Sequence, residues 1–191
     1  MKKEGLVTGF VLLVIFLLTL ACTKQKGEKY FPISDGARWE YSMEWRNMNN
    51  LLKPRAKEKM FMLVDGEKTI YGKRYYRLVG SDTIPGTGEF VSYFRKAEDG
   101  IYEGVGEKEK MVFPFPPTVG KAWSIGDGER YIVSNETLYV LDKKYEDCLK
   151  ITDKVPDEET RYYAPNIGLV KWTLTFPPSR ILEFTLNMYK P

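Results

Sequence analysis

Arg38-Trp39-Glu40-Tyr41-Ser42-Met43-Glu44-Trp45-Arg46 alternates without an error. Trp39, Tyr41, Met43 and Trp45 fall on one face, and charged or polar side chains fall on the other. Successive side chains of a strand point to opposite sides of a sheet, so a period of two marks a half-buried strand. The C-terminus repeats the pattern: Leu182, Phe184, Leu186 and Met188 alternate with Glu183, Thr185, Asn187 and Tyr189. Just before it, Trp172, Leu174 and Phe176 alternate with Lys171, Thr173 and Thr175. Pro177-Pro178-Ser179 separates these two runs and cannot stay in a ladder, because proline has no N–H to donate. The two runs therefore predict a hairpin.

Shorter runs at 59–64, 74–79, 90–95, 110–113, 130–134, 137–141, 148–152 and 160–163 read the same way. Between them lie turn signals: Asp65-Gly66, Tyr71-Gly72, Pro85-Gly86, Asp99-Gly100, Asp127-Gly128 and Asn166-Ile167-Gly168. Strands at a spacing of roughly 8–12 residues predict a sandwich or barrel-like sheet, not βαβ units. The expected fold is all-β, a single curved antiparallel sheet, half-barrel or barrel-like, of about 9–11 strands after an N-terminal signal helix. Past that segment a short helix fits only between Asn47 and Lys59, where Pro54 interrupts it. Phe31-Pro32…Gly36…Trp39 and Phe115-Pro116…Gly120…Trp123 share the pattern F-P-x-x-x-G-x-x-W. Each sets a rigid proline, then a glycine turn, then an aromatic entering a strand, which reads as recurrent turn chemistry more readily than as a duplication.

The chain has 191 residues, 43% apolar and 29% charged, which is one ordinary domain and not a disordered chain, a collagen or a coiled coil. A net charge of +3 is too balanced for a dedicated nucleic-acid binder. No histidine is present, so Ser-His-Asp and Cys-His catalysis and imidazole metal sites are all excluded. No metal or cofactor is expected. Gly86-Thr87-Gly88, Gly104-Val105-Gly106 and Gly126-Asp127-Gly128 never extend to a phosphate-cradling motif. The acidic runs, Glu98-Asp99, Glu107-Lys108-Glu109, and Asp153 with Asp157-Glu158-Glu159, read as solvated loops, and no catalytic residue is assigned. Cys148 reads as a small buried hydrophobe, and Pro114–Pro117 as a stiff crossover loop.

Met1-Lys2-Lys3 precedes an uncharged apolar run over residues 5–21. A spanning helix takes about 20 such residues, and a secretory h-region roughly 7–15, so length does not decide. Leu18-Thr19-Leu20-Ala21-Cys22 resembles the bacterial lipobox, with Thr19 where that pattern usually has leucine. The resemblance implies a signal peptide over 1–21, a palmitate-type anchor on Cys22, a lipidated cysteine and polar tether over 22–30, and an all-β domain over 31–191. An uncleaved membrane anchor and a plain secreted protein are the alternatives. The implied address is the cell envelope, lipid-anchored and facing the periplasm or the outside. The lysines of the tether, Lys24, Lys26 and Lys29, read as a solvated linker.

A second resemblance covers most of 30–190. Phe31-Pro32…Gly36…Trp39-x-Tyr41, Tyr71-Gly72-Lys73-Arg74-Tyr75-Tyr76 and Tyr162-Tyr163-Ala164-Pro165-Asn166-Ile167-Gly168-Leu169-Val170-Lys171 are similar to the wording of a loose group of uncharacterised bacterial lipoproteins. That resemblance implies a curved half-barrel like that of periplasmic lipoprotein carriers, and it brings no catalytic residue.

Aromatic residues make up 14% of the chain, and a small antiparallel domain can use many of them as core. A half-barrel with no long helix to plug it also leaves part of its concave face open. Trp39, Tyr41, Met43 and Trp45 are then the expected hydrophobic-ligand face, for an acyl chain or an apolar peptide. The expected function is non-enzymatic binding of a hydrophobic ligand or of an envelope protein by a membrane-anchored lipoprotein. The alternative is a structural or accessory scaffold that meets only protein partners.

Overall fold

The computed structural model describes residues 27–47, 58–81, 88–125, 128–153, 159–176 and 180–191. The expected lipidation site Cys22, the expected helix around Pro54, and the Pro85-Gly86 and Pro177–Ser179 turns lie outside the described residues. The strands are β1 (Arg38–Asn47), β2 (Glu58–Ile70), β3 (Lys73–Ser81), β4 (Glu89–Lys96), β5 (Gly100–Glu103) and β6 (Lys110–Pro114). They continue as β7 (Ala122–Ile125), β8 (Gly128–Val140), β9 (Lys143–Asp153), β10 (Glu159–Ala164), β11 (Gly168–Phe176) and β12 (Arg180–Lys190). All twelve join one antiparallel sheet in the order β6-β5-β4-β3-β2-β1-β12-β11-β10-β9-β8-β7.

Every sequential pair is a hairpin except β6 and β7, which are the two ends of that order, while β1 and β12 pair with each other. The sheet thus curls until its ends meet, and it nearly closes into a barrel. The seam is bridged by side chains: the Trp123 indole N–H on β7 donates to the Met111 carbonyl on β6 at 3.1 Å. Lys121 Nζ donates across the β6–β7 connection to the Phe115 carbonyl at 3.2 Å. Bringing the two edge strands together covers the unpaired backbone groups that an open edge would present.

The alternating runs become the strands that hold the core. Tyr41 and Met43 on β1, and Leu182, Phe184 and Leu186 on β12, are buried facing inward. β11 and β12 form the expected hairpin, with Trp172 opposite Phe184. Four details depart from the sequence pattern. β5 and β7, four residues each, were not foreseen and raise the strand number to twelve. The runs at 130–134 and 137–141 are one strand, β8, which absorbs two register shifts against β9. Asp65-Gly66 is no chain reversal; it is a bulge inside β2, between Val64 and Glu67. There Gly66 takes φ +78°, a conformation that costs glycine little, and its N–H donates to Asp35 Oδ1 at 2.8 Å. Lastly, the β1–β12 ladder shifts by one residue between Glu40 and Tyr41, so Met188 pairs with Glu40 and turns outward, 41% exposed.

A short arm before β1 enters the barrel. Tyr30, Ile33 and Ala37 are buried in the core, and the Tyr30 hydroxyl donates to the Asp147 carbonyl at 3.0 Å. Tyr30, which the sequence reading assigns to the tether, is therefore packed. Phe31 lies among three rings, Phe94 at 5.7 Å, Tyr163 at 5.9 Å and Phe113 at 6.0 Å between centroids. Such offset aromatic contacts contribute about 0.5–1.5 kcal/mol each beyond burial.

Candidate ligand cavity

One cavity of about 200 Å³, partly open to solvent and mostly apolar, lies inside the sheet beside the arm. The arm supplies Phe31, Pro32 and Ile33; β1 supplies Trp39 and Tyr41. Across from them stand Tyr76 and Leu78 of β3, Phe90, Ser92 and Phe94 of β4, and Glu103 of β5. Arg161 and Tyr163 on β10 and Leu169 and Trp172 on β11 complete the wall. The alternation places these side chains: on β4, Phe90, Ser92 and Phe94 share one parity, while Val91 points out and is 51% exposed.

The polar ends of the β1 rings are tied away from the cavity. Trp39 Nε1 donates to the Ile167 carbonyl at 2.6 Å, and the Tyr41 hydroxyl donates to the Leu169 carbonyl at 2.9 Å. Burial pushes the Tyr41 phenol well above its ordinary range, so it stays neutral. Both rings thus give the cavity their apolar surface, held by the β10–β11 turn. Gly168 in that turn takes φ +87°, and a Cβ there would stand 3.2 Å from the Pro32 ring. Only glycine combines that conformation with that approach.

Of the four expected face residues, Trp39 and Tyr41 line the cavity. Met43 is buried in the core further along β1 and does not line it. Trp45, near the strand end, packs against Phe176 at 5.5 Å between centroids. Sequence reasoning did not single out Phe31, Leu78, Phe94, Arg161 or Trp172. The motif holding Phe31 and the alternation holding Trp172 were both on the page, but neither shows which strands face each other.

The charged groups on the wall are partnered. Glu103 accepts from Ser92 Oγ at 2.7 Å. Arg161 pairs with Glu159, and its guanidinium lies 5.0 Å from the centre of the Trp172 ring. That ring stacks on Phe184 at 4.6 Å on β12. Glu159 also meets Arg130 Nη2 at 2.5 Å, and Arg130 Nε reaches Asp153 Oδ1 at 2.7 Å. Two carboxylates and two guanidiniums therefore form a charge-balanced chain behind the wall.

Glu109 and Cys148, away from the cavity, are both tied into the fold. Glu109, read from sequence as part of a solvated loop, is instead gripped by Arg95 at 2.7 and 2.9 Å, the Tyr75 hydroxyl at 2.6 Å and Lys73 at 3.2 Å. The Arg95 guanidinium above all, with Tyr75 and Lys73, holds its carboxyl down to about 2. Cys148 is fully buried, and burial pushes its thiol up to about 11, the opposite of an activated nucleophile. Gly104 and Gly106 shape the β5–β6 connection, where the only helical turn is the three-residue Gly106–Lys108.

No protein-family model matches the sequence, and no curated protein resembles it in sequence. Solved structures do share its fold. A Bacteroides fragilis protein inferred to be exported, of YmcC-like fold, is 13% identical and superposes with a TM-score of 0.51 over 84% of this chain and 98% of its own. A Parabacteroides distasonis protein inferred to be a lipoprotein is 14% identical, with a TM-score of 0.50 over the same 84% and 98%. A LolA superfamily protein from Nitrosomonas europaea aligns over 89% of this chain and 91% of its own at 10% identity, but its TM-score of 0.30 is too loose to speak for the fold.

Proposed function

We propose that this chain is a bacterial envelope lipoprotein, anchored through Cys22 and facing the periplasm or the outside, whose barrel binds a hydrophobic ligand without catalysis. The observation that carries the reading is the cavity. Its aromatic wall is oriented by hydrogen bonds that turn polar ends outward and apolar faces inward. A core position of that kind normally packs solid, because interiors are as dense as organic crystals. The signal segment, the lipobox cysteine, and the exported and lipoprotein descriptions of two proteins of the same fold support the address. The lack of histidine and the partnering of Glu103, Glu109, Asp153 and Glu159 support a binding role.

The test uses residues 27–191 purified without detergent. A lipid-sized mass adduct lost on denaturation, and absent from Leu78→Glu, is expected by native mass spectrometry. A clean apo mass, with no displacement of an apolar dye by added acyl lipids, would overturn the reading. It would favour a scaffold instead, for which the exposed hairpin tips Tyr71 (83%) and Tyr139 (71%) offer protein-binding surface. Palmitate labelling of the full chain is expected to vanish in Cys22→Ala.

A further inference from the structure

We infer that the cavity takes a single-chain amphiphile whose head group is a protonated amine, received by the Glu103 carboxylate. The inference deepens the proposed binding role and rests on it.

The register turns Glu103 inward. Tyr76 on β3 stands opposite Phe94 on β4, and Phe94 stands opposite Glu103 on β5. Residues directly opposite share a face, and all three line the cavity. Ser92, two residues before Phe94 and so on the same face, lines it too and donates from Oγ to Glu103 Oε1 at 2.7 Å. That bond holds the carboxylate on the cavity side of the sheet. The Glu103 side chain keeps 31% of its surface exposed, so an incoming head group can touch it. An ionised carboxylate only accepts, with about four lone-pair sites, and Ser92 takes one. The cation paired with it among the described residues is Lys110, whose Nζ lies 3.8 Å from Oε2, too long for a hydrogen bond. Lys110 is half exposed and is not part of the cavity wall.

The other polar side chains of the wall are engaged by the fold. Trp39 and Tyr41 donate to backbone carbonyls, Tyr76 meets Glu67 and Arg74, and Arg161 meets Glu159 and Tyr163. Trp172 Nε1 is fully buried, so no ligand reaches it. Lys96 Nζ lies 5.7 Å from the centre of the Tyr76 ring and is not part of the wall. Among the described residues the wall therefore offers a ligand a negative acceptor at Glu103 and no unmatched positive charge. A carboxylate or phosphate head group meets repulsion there. A hydroxyl and an amine both donate, but the amine also carries the matching charge, and charge-assisted bonds are roughly twice as strong as neutral ones. Size sets the rest. The cavity of about 200 Å³ is roughly seven times the ~30 Å³ share of a water in the liquid, room for one short alkyl chain and not for two.

Octylamine, 1-octanol and octanoate share one chain and differ in head group. The full chain is held at neutral pH in a sterol-based detergent, whose rigid rings do not thread a narrow cavity, and titrated with each compound in turn. Trp39 and Trp172 line the cavity, so tryptophan fluorescence reads its filling. Each affinity is corrected for the compound's partition into detergent alone, measured without protein. Octylamine is expected to bind about tenfold tighter than 1-octanol, the scale of one charged hydrogen bond, with octanoate weakest. Glu103→Gln keeps the shape and removes the charge. It is expected to bring octylamine to within about twofold of 1-octanol, while 1-octanol binding stays the same. Lys110→Gln releases the carboxylate from its surface partner and is expected to tighten octylamine about twofold. An unchanged gap in Glu103→Gln, looser octylamine in Lys110→Gln, or octanoate binding tightest would overturn the inference with ligand binding intact. No saturable signal with any of the three would overturn the binding role itself.

Discussion

The barrel is built from two runs of six strands that share a plan and differ in how they fill space. β1–β6 and β7–β12 each follow the motif F-P-x-x-x-G-x-x-W, with Trp39 and Trp123 both buried. In each, the second and third strands make the longest hairpin, turning through Tyr71 at φ 51° and Leu141 at φ 52°. Four residues later each buries a tyrosine, Tyr75 and Tyr145. On that common plan, the second run packs branched aliphatics inward: Ile132, Ile151, Val170 and Leu182 are fully buried. The first run presents large rings on β1, β3 and β4, and most of the cavity wall is its own. Compact branched side chains interdigitate, whereas Trp39 and Tyr41 are held by their polar ends and cannot swing in to close the gap. The difference teaches that the cavity follows from side-chain choice, most of it on the first half, more than from the sheet.

The largest expected effect sharpens that contrast directly. Leu182→Ala, in the solid half, should cost about 3–5 kcal/mol in denaturant unfolding, because its surroundings cannot collapse onto the lost volume. Leu78→Ala, at the half-buried cavity wall, removes the same atoms from a site already open on one side and should cost about 1 kcal/mol. Equal losses would break the contrast and mean that the cavity is filled in solution.

The next effect is electrostatic and belongs to the first half alone. Glu109 ties the β5–β6 loop to β3 and β4, and its carboxyl is held at about 2 instead of 4.5. A carboxylate with a depressed folded value stabilises fully above about pH 4.5 and loses that contribution as the pH falls toward 2. Glu109→Gln should therefore cost about 1.5–3 kcal/mol at neutral pH. It should also flatten the decline in stability between pH 4.5 and 2, read as unfolding midpoints across that range. An undiminished acid slope in the variant would mean that Glu109 does not set it.

How much of this was legible depends on length and on depth. Eight or nine residues of clean alternation, as in β1 and β12, declare a strand and its inner face. Four residues, as in β5 and β7, hold too few periods to stand out from a turn. A bulge defeats parity outright: the one-residue shift against β1 turns Met188 outward although its spacing matches Leu186. The site was half readable for a related reason. Parity gave the inward face of Trp39, Tyr41, Met43 and Trp45, but how far along the barrel the cavity sits is set by where Phe31 packs against Phe94 and Tyr163. Arg161 and Trp172 meet only through the β10–β11 register, which no local pattern encodes.

The seam tests how the two end strands, β6 and β7, are held together. Trp123→Phe keeps the buried ring and deletes the one N–H that crosses from β7 to the Met111 carbonyl. The expected loss is about 1 kcal/mol, with faster amide exchange in β6 and β7 than elsewhere in the sheet. Unchanged protection at these strands would mean that the Trp123 hydrogen bond does not hold the seam.

The smallest effect compares the two hairpin tips. Both Tyr71 and Leu141 sit in a left-handed conformation that costs a non-glycine residue about 1–2 kcal/mol. The strain is alike, but the surroundings are not. Tyr71 is followed by Gly72, and its ring lies beside Gly106 of the loop that carries Glu109, so the side chain returns part of what its backbone costs. Leu141 is 58% exposed and is followed by Asp142. Leu141→Gly should therefore stabilise the chain by roughly 0.5 kcal/mol, the relieved strain less glycine's extra freedom when unfolded. Tyr71→Gly should be neutral or mildly destabilising, because it gives up the ring contact for the same relief. Identical midpoint shifts for the two would mean that the tips are as interchangeable as their turns, and that the first half's loop packing owes nothing to Tyr71.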